Sequence, residues 1–311
     1  MIQTKELRMM GTVITIQIES DKASRQIETV CQLLETYNHR FSANDEDSEL
    51  MQINHMAGIE EVSVHPDLYQ LIKVGKEHSL SEPSNLNIAI GPLVQSWRIG
   101  FSDATVPESS TVLEKLKKTD PQKILLNDQK KTVLLEEKEM KIDLGALAKG
   151  YIADKVLSYL IEDGIDSALI NLGGNVLVHG KNPKRQDGLF YIGIQHPVKT
   201  RGQNIGIIKT ENMSVVTSGI YERHLSVNGK DYHHIFDRKT GYPIETDMTS
   251  LTIVAKSSLD CEIWTTRLFG LPSLTVYNLL NASPDIDGII ITKDQKIVVS
   301  DGLKTSFQLV F

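Results

Sequence analysis

The chain has 311 residues, of which 40% are hydrophobic and 23% charged. That length suits one or two domains, and the composition provides enough apolar side chains for a packed core and excludes a disordered chain. Thirty-three Lys and Arg against 40 Asp and Glu give a formal charge of -7. This excludes a general nucleic-acid binder, because phosphate neutralisation needs clustered cations.

The N-terminus, Met1-Ile2-Gln3-Thr4-Lys5-Glu6-Leu7, has neither an apolar stretch of signal-peptide length nor a cysteine to carry a lipid. No apolar run reaches the roughly eighteen residues of a membrane span. As written the chain reads as soluble and cytoplasmic; a signal trimmed from the N-terminus would make it exported or membrane-anchored. Gly11–Glu19 alternates apolar and polar residues, as a half-buried strand does. Ser24–Arg40 and Pro66–Leu80 carry apolar residues at helical spacing. Between them and the next helix, Gly100–Leu116 is the loosest stretch. Lys123–Leu126 and Thr132–Leu135 flank the polar turn 127–130 and read as a hairpin.

Ala146–Ile161 is a predicted helix ended by Gly164, followed by strands at Ser167–Leu172, Val176–His179 and Leu189–Gln195. Short strands follow at Ser214–Thr217, Arg223–Val227 and His233–Phe236, with Asn228-Gly229 as the tight turn between the last two. Leu251–Lys256 is a strand feeding a helix from Leu259 to Phe269, and Ser273–Asn281 is a further helix. Gly288–Ile291 and Lys296–Ser300 close the chain as strands. Strands paired by hairpins, not strictly alternating with helices, predict an α+β fold. No linker divides the chain, so residues 1–311 read as one domain. The two cysteines, Cys31 and Cys261, exclude a disulfide scaffold and a Cys-based zinc site, and their amphipathic helical settings predict buried free thiols.

Four stretches stand out for chemistry. In Lys141–Tyr151 (KIDLGALAKGY) an Asp and small residues lead into a helix with Lys149 in its first turns. Small residues admit a ligand close to the backbone, and a helix start offers free N–H groups to phosphate. The same residues also read as an Asp helix cap with a solvent-facing Lys. In Ile170–Val176 (INLGGNV), paired glycines between strands indicate a bulge or hairpin turn. In the third stretch, hydroxyl residues around Ser218 end a strand, and His233-His234 and Asp237 follow about fifteen residues later. Histidine accepts protons near neutral pH, but an isolated one is commonly an exposed edge-strand residue. In Ser257–Phe269, Glu262 and Thr266 are four apart and share one helix face, an oxygen pair suited to Mg²⁺ with substrate phosphate. An ordinary polar helix face has the same pattern, and Asp260, the rival carboxylate, lies on a different face from Thr266.

Taken together and in order, these stretches resemble the ApbE family of FAD:protein FMN transferases. Met10-Gly11-Thr12, Phe41-Ser42, Asp47-Ser48-Glu49-Leu50 with Asn54, and Ile90-Gly91-Pro92-Leu93-Val94 with Trp97 match its early motifs. Asp143–Tyr151, Asn171–Asn175, Thr217–Arg223 and His234–Pro243 match the later ones. The likeness spans nearly the whole chain, and its specificity lies in the number and order of the motifs. It implies a single α+β unit of T-fold type with antiparallel sheets, packed helices and FAD in a cleft. It further implies Mg²⁺-dependent movement of FMN from FAD to a Thr or Ser hydroxyl of an acceptor flavoprotein, with release of AMP. FAD and the acceptor are the implied partners, with no nucleic acid and no membrane span, for a monomer or a homodimer.

By the same resemblance Ala146, Glu262 and Thr266 would hold the metal, Ala146 through its carbonyl. Met10, Asn87, Ile88, Ala89, Asp143, Lys149, Gly173, Gly174 and Ser218 would contact FAD. His234 would lie near the reacting phosphate; its chemistry makes it the candidate base for the incoming hydroxyl, and Asp237 reads either as the group that orients it or as a cap of the turn that follows. The chain departs from the family pattern at Glu262, where Asp is usual, and at Asn87, where Asp is frequent. Same-face geometry with Thr266 favours Glu262 over Asp260. Hydrolysis of FAD to FMN and AMP, and flavin binding without turnover, are the alternative activities. A dinucleotide-binding Rossmann protein is disfavoured, because no Gly-x-Gly-x-x-Gly follows an early strand.

Overall fold

The computed structural model describes residues 1–310. The chain begins with a hairpin of β1 (Ile2–Met9) and β2 (Thr12–Glu19) and continues into α1 (Ala23–Phe41), α2 (Glu49–His55), β3 (Val62–Ser63) and α3 (Pro66–Leu80). Then come α4 (Gly91–Trp97), α5 (Ser109–Leu116), β4 (Ile124–Asn127), β5 (Thr132–Leu135) and α6 (Ala148–Glu162). A strand-rich stretch follows: β6 (Ser167–Leu172), β7 (Asn175–Gly180), β8 (Phe190–Gln195), β9 (Asn204–Thr210), β10 (Ser214–Gly219), β11 (His224–Val227) and β12 (Lys230–His233). The chain closes with β13 (Met248–Ala255), α7 (Ser258–Leu268), α8 (Ser273–Ala282), β14 (Asp287–Thr292), β15 (Ile297–Val299) and β16 (Phe307–Leu309).

The main sheet has 8 strands in the order β1-β2-β6-β7-β10-β13-β14-β15. Every pairing between its named strands is antiparallel, as the hairpin-rich pattern predicts for an α+β fold. Smaller sheets pair β11 with β12, β16 with β9 and β8, and β3 with β5 and β4. The alternation in β2 sends Ile14, Ile16 and Ile18 inward, where each is fully buried against a core that includes α1, α3 and α6. β13 is buried along almost its whole length because both of its faces are covered. Leu251 and Ile253 pack with α7 and α8, while Val254 packs with the sheet of β8 and β9.

Several elements differ from the sequence expectation. β1 forms although its burial alternates weakly; it is an outer strand whose Lys5 and Glu6 are exposed. α5 forms in the stretch expected to be loosest, anchored by one buried residue, Val112. The expected strand His233–Phe236 is replaced by β12, which starts directly after the Asn228-Gly229 turn, so His233 ends the strand and His234 lies beyond it. A two-residue turn zips its flanking residues first, and Val227 pairs with Lys230. Cys261 is buried as expected, but Cys31 is only partly so.

Candidate active site

The segment before α6 is held from both sides. The Asn54 side chain accepts from Ile142 N at 2.7 Å and donates to Ile142 O at 3.1 Å. The next residue, Asp143, donates its N–H to Ile88 O at 2.9 Å. Ile88 and Ala89 are buried, and the Asn87 side chain accepts from Ala89 N in its own loop and donates to Thr119 O in the segment after α5. Asp143 Oδ1 accepts from Gly145 N at 2.8 Å. Burial pushes its carboxyl above the usual range, opposed by that N–H and by the Arg223 charge. Asp143 therefore closes the turn ahead of the helix. The helix itself has Leu147 at its N-cap position and no side-chain cap.

Helix α7 comes unusually close to this start. A β-carbon at Gly150 would lie 2.6 Å from Ser258 O, so only glycine admits the contact. Asp154, one turn further along α6, accepts from Ser258 N, Leu259 N and Ser257 Oγ at 2.8, 2.9 and 2.8 Å. It thereby places a carboxylate at the N-terminus of α7, where exposed N–H groups favour negative charge. This docking brings Glu262, which is 4% exposed, against Lys149: Nζ donates to Oε1 at 2.9 Å. Asn175 Nδ2 donates to the same oxygen at 3.0 Å. Oε2 takes no hydrogen bond among the described residues and is not fully sealed from solvent. Lys149 is therefore paired with a buried acid and does not simply face solvent.

Thr266 follows Glu262 by one turn and is partly buried, and its hydroxyl makes no hydrogen bond among the described residues. Asp260 is exposed and belongs to the first turn of α7. Ala146 is exposed just ahead of α6. Among the described residues no three His, Cys, Asp or Glu side chains gather as a metal cage. An ion here would rely on few protein oxygens and on substrate oxygens, which is the habit of Mg²⁺.

The remaining expected site residues lie on turns, at the end of β10 and at the foot of the β11–β12 hairpin. Met10 and Gly11, with φ of 54° and 69°, form the tight turn between β1 and β2. Gly173 and Gly174 make the corresponding turn between β6 and β7; a β-carbon at Gly173 would strike Thr12. Ser218 is half-buried near the end of β10, in register with Leu251. Arg223 and His234 form a backbone pair below the hairpin. His234 N and Nδ1 both lie 3.2 Å from Arg223 O. A carbonyl only accepts, so Nδ1 carries the proton and Nε2 keeps its lone pair. Burial pushes the imidazole down to about 4, with the nearby charges of Arg223 and Lys149 acting in the same direction.

Asp237 does not contact His234. Its Oδ1 accepts from Lys239 N at 2.8 Å and shapes the turn that Gly241 N closes on Asp237 O. The orienting group for His234 is the Arg223 carbonyl instead. The structure thus joins Lys149, Glu262 and Asn175 directly, and brings His234 and Asp143 both within the field of Arg223. Arg223, Asn175, Ser258 and Asp154 were not singled out as site residues from sequence. Arg223 and Asn175 close two of the motifs, which was the available signal. A separate concavity of about 530 Å³ beside Arg238 and Arg267 includes none of Asp143, Lys149, His234 or Glu262 in its lining.

Fold and site together define an α+β protein with an acid–lysine pair at an uncapped helix start and a neutral histidine near it. A model of the ApbE family matches residues 10–290. The chain is 39% identical to the FAD:protein FMN transferase of Klebsiella pneumoniae (strain 342), covering 96% of this chain and 92% of that protein. It is 33% identical to the FAD:protein FMN transferase of Treponema pallidum (strain Nichols), covering 95% and 86%. The crystal structure of the ApbE protein from Thermotoga maritima superposes with a TM-score of 0.89 at 26% identity, covering 98% of this chain and 99% of that one. The chain belongs to the ApbE family.

Proposed function

We propose that this protein transfers FMN from FAD to a Thr or Ser hydroxyl of an acceptor flavoprotein and releases AMP. The observation that carries the reading is Glu262: a buried carboxylate gripped at one oxygen, with the other open beside an uncapped helix start. The names of the relatives supply the substrate class.

The donor set fits a hard divalent cation. The open oxygen of Glu262, the unengaged hydroxyl of Thr266 and the carbonyl of Ala146 would hold it, and all three are oxygen donors. Bound there, Mg²⁺ would polarise the FAD diphosphate and neutralise charge that builds on its oxygens. Lys149, at the helix start, supplies a second positive charge to the same oxygens. His234 Nε2, held unprotonated, accepts the proton of the acceptor hydroxyl. The freed oxygen forms a bond to the FMN phosphorus, the diphosphate P–O bond breaks, and AMP leaves with the electron pair.

The test is mass spectrometry of a candidate flavoprotein domain incubated with this protein, FAD and Mg²⁺. The expected result is a mass gain of one FMN on a Thr or Ser. AMP release without acceptor would instead identify a pyrophosphatase, and FAD binding with no AMP a flavin carrier.

A further inference from the structure

Behind Glu262 lies a chain of buried polar groups that the transfer chemistry does not use. Asn175 is 2% exposed, Ser258 and Ser214 are fully buried, and they come from β7, α7 and β10. Ser258 Oγ donates to Asn175 Oδ1, and Ser214 Oγ lies 3.0 Å from Ser258 Oγ. An amide oxygen only accepts, so the Ser258 proton must point at Asn175. A carboxylate also only accepts, so the NH₂ of Asn175 must point at Glu262. Turning the amide over would set its oxygen against the Glu262 carboxylate with no proton between them. The chain therefore has one permitted direction, and it ends at Oε1 of Glu262 at 3.0 Å.

We infer that Asn175 is a positioning residue: with Ser258 behind it, it fixes the Glu262 carboxylate so that Oε1 is held by the protein and Oε2 faces the cation. The need for such a hold follows from the length of the side chain. Glu has one more rotatable bond than Asp would have, so α7 alone does not set the direction of the carboxylate. Lys149 alone is a weak guide, because an ammonium is a flexible point charge whereas an amide locked by Ser258 is directional. Outer partners of metal-ligating carboxylates act in this way generally. Asn175 reaches the spot because the Gly173-Gly174 turn places it at the first position of β7, opposite Leu172.

This inference rests on the reading of Glu262 as a cation ligand, so the experiment tests the two separately. Mn²⁺ affinity of the FAD-bound protein would be followed by electron paramagnetic resonance, and FAD affinity by flavin fluorescence. Glu262→Gln should abolish Mn²⁺ binding. Asn175→Ala should weaken Mn²⁺ binding about tenfold or more, and Ser258→Ala about threefold to tenfold, with FAD affinity unchanged in both. In turnover the loss should appear as a higher Mg²⁺ requirement, with kcat recovering at saturating Mg²⁺. If Glu262→Gln binds Mn²⁺ like the parent, the ligand reading fails. If Glu262→Gln loses the cation but Asn175→Ala keeps it within about twofold, the positioning role of Asn175 is overturned. Should Asn175→Ala not fold, Ser258→Ala decides: an unchanged Mn²⁺ affinity there overturns the inference.

Discussion

Gly150 and Glu262 are in such close contact that a β-carbon on the glycine would fall 2.8 Å from Cγ of the glutamate. The two helices that hold the site therefore meet at a point where one hydrogen atom is the only tolerated side chain. A methyl at position 150 would press on Ser258 O and Leu259 Cα as well, both of them backbone. Gly150→Ala is expected to lower stability by about 1–3 kcal/mol despite its better helix propensity, because overpacking outweighs propensity here. Thermal unfolding measures the loss, and cation affinity should fall with it as α7 is pushed away from Lys149.

Glu262→Ala and Asp260→Ala should part company. Glu262 is buried and paired with Lys149, whereas Asp260 is exposed in the first turn of α7. Removing Glu262 should cost about a hundredfold or more in transfer rate, as loss of a metal contribution of several kcal/mol implies. Removing Asp260 should cost little. Rates of AMP release at fixed Mg²⁺ compare the two, and the opposite ranking would refute the assignment of Glu262.

The histidine gives a pH prediction with a definite sign. The folded value for His234, about 4, lies below the ordinary 6.5. The unfolded chain thus binds the proton more readily, so the stability linked to His234 is intact above about 6.5 and is lost as pH falls toward 4. The same shift keeps Nε2 available as a base. The acid limb of kcat/KM assigned to this group should sit near 4, not near 6.5, and should disappear in His234→Ala.

Asp154 anchors the start of α7 through two backbone N–H groups and the Ser257 hydroxyl. Asp154→Ala should cost about 1–2 kcal/mol, the value of a lost helix cap. Asp154→Asn should lose less, because the amide oxygen still accepts one of the bonds. Chemical denaturation of the three proteins provides the comparison.

Much of this site was legible in the sequence, and the illegible part has a common cause. The helices that carry Lys149 and Glu262 were legible because helical periodicity is a local property, whereas the roles expected of those residues came from the number and order of the motifs. The contacts that set orientation are non-local. Asn175 meets Glu262 across 87 positions, and Asp154 meets Ser258 across 104. Asp237 shows the converse. Its sequence neighbourhood allowed both a partner for His234 and a cap for the next turn, and the nearby N–H of Lys239 takes the carboxylate for the turn. Likewise β1 and α5 escaped notice because exposed outer elements carry little apolar pattern to read.

The shared carbonyl of Arg223 has a mechanical consequence. Because the main-chain and ring nitrogens of His234 both lean on the residue that bears the guanidinium, the two arms at the foot of the small hairpin are coupled. A shift of that hairpin would therefore move the imidazole together with the Arg223 main chain, and the position of one would report on the other.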